Sequence, residues 1–327
     1  MKKNIGLALA FFGYTCSEAQ VKWVKVDSLF GELPASVHIY KTTDPLDGKP
    51  NIAYYAEADL KDKSLLFTTD TTDKRRITPS QFYEKNNKPL LVVNTTFFSY
   101  ASNRSLNVVI KDGRLVSCNP ELVRGRGADS VNWLRPFNSA IGISAKRKAD
   151  VAWLYTDSLK NTIHASQKAM KLRYPPIVCC DLPRRKVTKY LRQEDKWYRK
   201  NFSSWKMRSA VGGGPVVLQN GDIQISNNEE NKFAGKALND KHPRTAMGYT
   251  KDNKLIILVI EGRHAGTAEG ATLTQEAQLF KDIGCEEALN LDGGGSSCLL
   301  VNGKETIKPS DKEGQRPVPA VFIVKIP

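Results

Sequence analysis

The feature that most constrains this 327-residue chain is a strand–helix–strand unit near its C-terminal end. Leu255–Ile260 is an unbroken apolar run, as expected of a strand covered on both faces. Thr272 and Gln275 have the spacing of a capping box, Leu273, Ala277 and Phe280 share one helical face, and Gly284 is placed to stop a helix. These signals predict a helix over about 273–283. Ala288–Asp292 then reads as a second strand. A crossover of this kind requires its two strands to run parallel. Glu261 and Asp292 would then both sit at carboxyl ends of strands, on one edge of one sheet.

Elsewhere hairpins dominate. Asp112-Gly113, Asn220-Gly221 and Asn302-Gly303, with a looser version at Asp252-Asn253, separate short β-rich runs. The expected fold class is α+β: a mixed, strongly twisted β-sheet with several hairpins, a few helices and one βαβ crossover. Residues 20–88 read as an N-terminal elaboration and 89–327 as the principal domain. Residues 157–207, with Pro175-Pro176, Cys179-Cys180 and a basic aromatic run, read as an insertion or flap.

The crossover's second strand delivers Asn290 and Asp292 into Gly293-Gly294-Gly295-Ser296-Ser297. Glycines let a ligand approach the main chain. Successive free N–H groups in such a turn suit an anion, and the two serines add hydroxyls. A second triple-glycine turn, Gly212-Gly213-Gly214-Pro215, is expected to line the same pocket. Asn94, at the end of the apolar run Pro89–Asn94 and before Phe97 and Phe98, has the chemistry to hydrogen-bond a sugar hydroxyl. If the crossover strands are neighbours about 4.8 Å apart, Glu261 and Asp292 come within roughly 5–10 Å, the range used by paired-carboxylate glycosidases. Arg244 and Arg263 have the geometry to neutralise a phosphate there. Taken alone, Glu261 with Arg263 reads equally as an ion pair at a strand end, and Asp292 as a turn cap.

The N-terminus carries Lys2 and Lys3, an apolar run from Ile5 to Phe12, and small residues at Ser17-Glu18-Ala19. This reads as a secretory leader over residues 1–19, too short to span a membrane. A lipoprotein anchor at Cys16 is disfavoured by Thr15. The expected location is the periplasm or the cell surface. A net charge of +15 favours anionic partners, and export argues for acidic glycans over nucleic acid. The four histidines lack zinc spacing and no Cys-x-x-Cys occurs. No cofactor or metal is called for, although a divalent cation at Asp292 is conceivable.

Taken together, these stretches resemble the phosphodiester glycosidase family. The matching segments are Asn94–Phe98, Ala210–Pro215, Arg244–Gly248, the strand ending Glu261-Gly262-Arg263, and above all Thr272–Gly303. Departures are Thr95-Thr96 where the family commonly has two glycines, Cys298 for a threonine, and Pro319 for a frequent asparagine. The resemblance implies cleavage of a sugar-1-phosphodiester to free sugar and phosphomonoester. Asn290 to Ser297 would form the core site, with Arg244, Glu261 and Arg263 as charged neighbours. It leaves base and nucleophile unassigned between Asp292 and Glu261. The rival expectation is an exported module that binds anionic glycan without turnover. A Walker loop and a serine-hydrolase elbow are both missing from the sequence.

Overall fold

The hairpin signals fall where the chain reverses. Asp112-Gly113, Asn220-Gly221 and Asn302-Gly303 all take positive φ at both residues, the geometry a two-residue reversal needs. They join Val109–Lys111 to Arg114–Ser117, Val216–Gln219 to Asp222–Ile223, and Leu299–Val301 to Lys304–Glu305. Asp252-Asn253 connects Arg244–Thr250 to Lys254–Ile260. In the computed structural model, residues 20–127, 130–157, 162–171 and 196–327 are described. The leader, Cys16, Cys179-Cys180 and most of the basic run fall outside them. Cys118, Cys285 and Cys298 are free thiols.

The described chain is mostly β-sheet with few helices. An eight-stranded sheet runs in spatial order Val24–Lys25, Val37–Thr42, Ala53–Asp59, Lys254–Ile260, Arg244–Thr250, Cys285–Asn290, Val216–Gln219, Asp222–Ile223. A seven-stranded sheet has Ala149–Asp157, Ser139–Ile143 and Ser209–Gly212 at its centre, and a five-stranded sheet has Leu91–Asn94. Residues 20–88 contribute strands to both the eight- and the five-stranded sheets. Thr162–Ser166 and Ser203–Ser204, both within the expected insertion at 157–207, form one edge of the seven-stranded sheet, so those parts of it belong to the sheet.

Leu255–Ile260 is apolar throughout because its sheet is covered twice. On one face Ile257 and Val259 join a core with Leu91, Val93, Ile141, Val211 and Phe322, drawn from all three sheets. On the other, Ile256, Leu258 and Ile260 meet Leu273, Ala277 and Phe280 of the helix Leu273–Ile283. That helix starts with the reciprocal Thr272–Gln275 capping box and stops at Gly284 in the left-handed conformation. Truncating fully buried Phe280 to alanine would cost about 3–5 kcal/mol.

The helix connects Lys254–Ile260 to Cys285–Asn290, and Arg244–Thr250 pairs antiparallel with both. The two strands therefore share a direction, as a crossover demands. The expectation that they are neighbours is corrected: Arg244–Thr250 lies between them, so they are two strand spacings apart, about 9.6 Å. Their ends still share one edge. At that edge the chain passes between sheets: Gly212 ends a strand of the seven-stranded sheet and Val216 opens one in the eight-stranded sheet. Asn290 ends a strand there, and Leu299 opens one in the five-stranded sheet.

Candidate active site

Buried amides brace this junction. Asn94, with no exposed surface, donates from Nδ2 to the Asp292 carbonyl at 2.6 Å, while its Oδ1 accepts from the Thr245 hydroxyl and the Cys298 N–H. The reading of Asn94 as a free sugar-binding amide is thereby corrected. It is a strut that fixes where Asp292 begins. Asn290 donates to the Gly214 carbonyl at 2.9 Å, and Gly214 N–H donates back to the Asn290 carbonyl at 2.7 Å. A side chain on Gly213 would strike the Asn290 carbonyl and Leu291, and one on Gly214 would strike the Glu230 carboxylate and the Lys232 stem. The second triple-glycine turn is thus filled by protein.

The first is built differently. A Cβ on Gly293 would lie 2.6 Å from the Pro243 carbonyl, which ties the turn to the start of the Arg244 strand. Above Gly294 (φ +63) lies the Arg263 guanidinium, 3.0 Å from where a Cβ would be, and above Gly295 lies that of Arg316, in contact with the same space. Arg316 is held by a two-point ion pair to Asp311, at 2.7 and 2.8 Å. The N–H groups of Gly294, Ser296 and Ser297 donate to protein carbonyls and that of Gly293 faces the Asp292 carboxyl, so of the expected glycine cradle Gly294 is already committed within the protein. What the turn offers an anion is hydroxyls and arginines.

Five polar side-chain atoms here are buried without a well-formed hydrogen bond: Thr95 Oγ1, Asn290 Oδ1, Asp292 Oδ2, Ser296 Oγ and Ser297 Oγ, although the Ser296 hydroxyl lies close enough to Asp292 to favour its ionised form. They are five of twelve such side-chain atoms among the described residues. An orphaned buried polar group costs about 1–3 kcal/mol, and native interiors rarely tolerate clusters of them. A cluster at one turn is the mark of a site awaiting a polar ligand. Burial pushes the Asp292 carboxyl up to about 7, against the opposing pull of Ser296, Arg316 and the Gly293 N–H. Asp292 nonetheless retains accessible surface as a residue, so it is deep-set but reachable.

Glu261 and Arg244 stand on the same edge in supporting positions. Glu261, nearly buried, accepts from Lys308 N–H at 2.9 Å and meets His264 Nδ1 at 3.0 Å. Arg244, also buried, donates to the Ala271 and Asp240 carbonyls and lies 3.9 Å from Glu276. Glu276 has no exposed surface and no hydrogen bond to either carboxylate oxygen; burial pushes it up to about 8, with Arg244 opposing. His242 is lowered by burial and by the fields of Arg244 and Arg263. Arg263 and Arg316, not Arg244, cover the glycines. Arg316 was missed as a site residue because nothing near it in sequence carries chemistry; only the fold returns it to Gly295. Among the described residues no three His, Cys, Asp or Glu side chains converge to hold a metal.

Residues 178–325 match the family model described as phosphodiester glycosidase. That stretch, somewhat under half of the chain, contains the Asp292 turn, both arginines above it and the Gly212–Gly214 turn, and is similar to that family. N-acetylglucosamine-1-phosphodiester alpha-N-acetylglucosaminidase of Mus musculus is 28% identical over 107 residues, covering 33% of this chain and 20% of its own length. The same enzyme of Bos taurus is 29% identical over 133 residues, covering 38% and 24%. The SPbeta prophage-derived uncharacterized protein YomE of Bacillus subtilis (strain 168) is 43% identical over 74 residues, covering 23% and 11%. The chain thus aligns with a quarter or less of these curated relatives. Among solved structures, the zebrafish N-acetylglucosamine-1-phosphodiester alpha-N-acetylglucosaminidase catalytic domain, auto-inhibited by its pro-peptide, superposes with a TM-score of 0.55 at 20% identity. It covers 90% of this chain and 85% of that one. A hypothetical protein from Synechocystis has a TM-score of 0.59 at 12% identity, over 94% and 68%. These likenesses establish a shared fold.

Proposed function

We propose that the protein is an exported glycosidase that hydrolyses a sugar-1-phosphodiester to free sugar and phosphomonoester. The observation that carries this reading is the Asp292 carboxyl, deep-set among orphaned hydroxyls beneath Arg263 and Arg316. Phosphate departs readily, so the reaction asks little of a general acid. It needs a grip on the anion and a carboxylate facing the anomeric carbon. Arg263, Arg316 and the hydroxyls of Ser296 and Ser297 supply the grip. Asp292 takes a proton from water. The water oxygen bonds to the anomeric carbon, the bond from that carbon to the phosphate oxygen breaks, and its electron pair leaves on the phosphate. Glu261, occupied by His264 and Lys308, orients the Arg263 loop. The leader read at residues 1–19 and the basic surface support an anionic surface glycan as the source of substrate. Among the described residues no helix is long and apolar enough to cross a membrane.

The test is release of free sugar from an α-N-acetylglucosamine-1-phosphodiester by the purified protein and by Asp292→Asn. Turnover by wild type and its loss in the variant support the reading. Saturable binding with no turnover by either identifies a binding module instead.

A further inference from the structure

Lys232 stands beside this hollow and none of the machinery above uses it. Its stem passes 2.5 Å from where a Gly214 Cβ would be, so only glycine there leaves the lysine room. Its Nζ lies 5.2 Å from the centre of the Phe97 ring, and Phe97 packs edge-on to Phe233, whose ring meets the Arg244 guanidinium. Gly214 and Asn290 exchange backbone and side-chain hydrogen bonds, and the Asn290 Oδ1 is among the orphaned atoms. Lys232 therefore packs against the same Gly214 that is hydrogen-bonded to Asn290, two residues before Asp292.

Among the described residues the amine makes no ion pair, and the Phe97 ring is its nearest aromatic contact. The nearest carboxylate, Glu230, is saturated: it accepts from Ser139 N–H and Oγ, Trp153 Nε1, Val216 N–H and Ser226 Oγ. Among the described residues no carboxylate oxygen lies within ion-pair distance of Lys232 Nζ. Arg126, from the loop above, donates to the Lys232 carbonyl at 2.5 Å and adds positive charge. Lys232 is partly exposed as a residue. Glu230 is thus committed to its own donors and reaches the amine through its field rather than a direct ion pair, which leaves the amine a place for an external anion.

We propose that Lys232 joins Arg263 and Arg316 around the departing phosphate, adding a contact to the phosphomonoester product and to the charge that gathers on it as the glycosidic bond breaks. The inference rests on the hydrolase reading and names a residue and a ligand class for it: a phosphate dianion. Burial and two neighbours set the charge of the amine: burial pushes it down to about 8, Glu230 opposes that, and Arg126 reinforces it. Arg244, beyond Phe233, is the next cation. Phosphate affinity should therefore fall as pH rises through about 8.

The experiment is calorimetric titration of inorganic phosphate into the full chain, wild type, Lys232→Gln and Lys232→Arg, between pH 7 and 9.5, with thermal melts to verify folding. Lys232→Gln should weaken phosphate about 10-fold or more, the loss expected for one charge-assisted contact. Lys232→Arg should bind within about 3-fold of wild type, since it keeps the charge, and should lose the alkaline decline, since guanidinium does not titrate there. Unchanged affinity in Lys232→Gln, or an alkaline decline that persists in Lys232→Arg, would overturn the inference. Phosphate binding that depends on Lys232 in a protein that cleaves no phosphodiester would sink the hydrolase reading alone. Cleavage that ignores Lys232 would sink this inference alone.

Discussion

The two triple-glycine turns, Gly212–Gly214 and Gly293–Gly295, look alike in sequence and do opposite things. In the first, the space where side chains would stand is taken by Asn107 and Val108 at Gly212, by the Asn290 carbonyl and Leu291 at Gly213, and by the Glu230 carboxylate and the Lys232 stem at Gly214. In the second, Gly294 and Gly295 face the ends of two long arginines. One turn is a seam where two sheets close on each other. The other is a floor whose ceiling can move. Small residues show only that something comes close; whether it is protein or ligand depends on what the fold brings back.

The sharpest way to break this comparison is to remove the one carboxyl that only the second turn presents. Asp292→Asn should lower turnover about 10²–10⁴-fold, the range for a lost general base, without lowering the melting temperature. Next is one methyl in each turn. Gly213→Ala drives a Cβ into the Asn290 carbonyl, which cannot move, and should cost several kcal/mol of stability, read as a fall in denaturant midpoint. Gly295→Ala meets only the ends of Arg316 and Asp311, which can swing away; it should fold normally and raise KM about 10-fold or more. Equal destabilisation by both would erase the distinction between seam and floor.

Smaller effects follow from the struts. Asn94→Ala strands the Thr245 hydroxyl and the Cys298 N–H and should cost about 1–3 kcal/mol in chemical denaturation. Glu276 offers a pH test. Its carboxyl is raised in the fold from 4.5 to about 8, so the folded state holds the proton more tightly than the unfolded one. Stability from this group is complete below about pH 4.5 and declines as pH climbs toward 8. Glu276→Gln should flatten that decline in melts taken across the range. A decline as steep as wild type would show that Glu276 is ionised throughout.

Much of the scaffold was legible because its signals are local. Each Asp-Gly or Asn-Gly reversal, the Thr272–Gln275 box and the Gly284 stop need only a few neighbouring residues to specify them. The Asp292 turn was legible for the same reason, being chemistry packed into consecutive positions. The strand order was not: nothing in Leu255–Ile260 announces that Arg244–Thr250, just before it in sequence, slides between it and its crossover partner. Asn94 looked like a ligand group because its buried partners, Thr245 and Cys298, are distant in sequence. Asp311 and Lys232 carry no motif, Arg316 stood out only as the start of the stretch in which Pro319 departs from the family pattern, and the places of all three arise from long-range packing. Charge patterns report what a residue can do, while the fold decides what it is left free to do.

The most direct measurement of the central claim is initial-rate release of free sugar from an α-N-acetylglucosamine-1-phosphodiester across pH 5–9, for wild type and for Asp292→Asn. The account predicts wild-type turnover that rises as the Asp292 carboxyl ionises near pH 7 and collapses in the variant. Equal rates for the two proteins, with no inflection near pH 7, would contradict it.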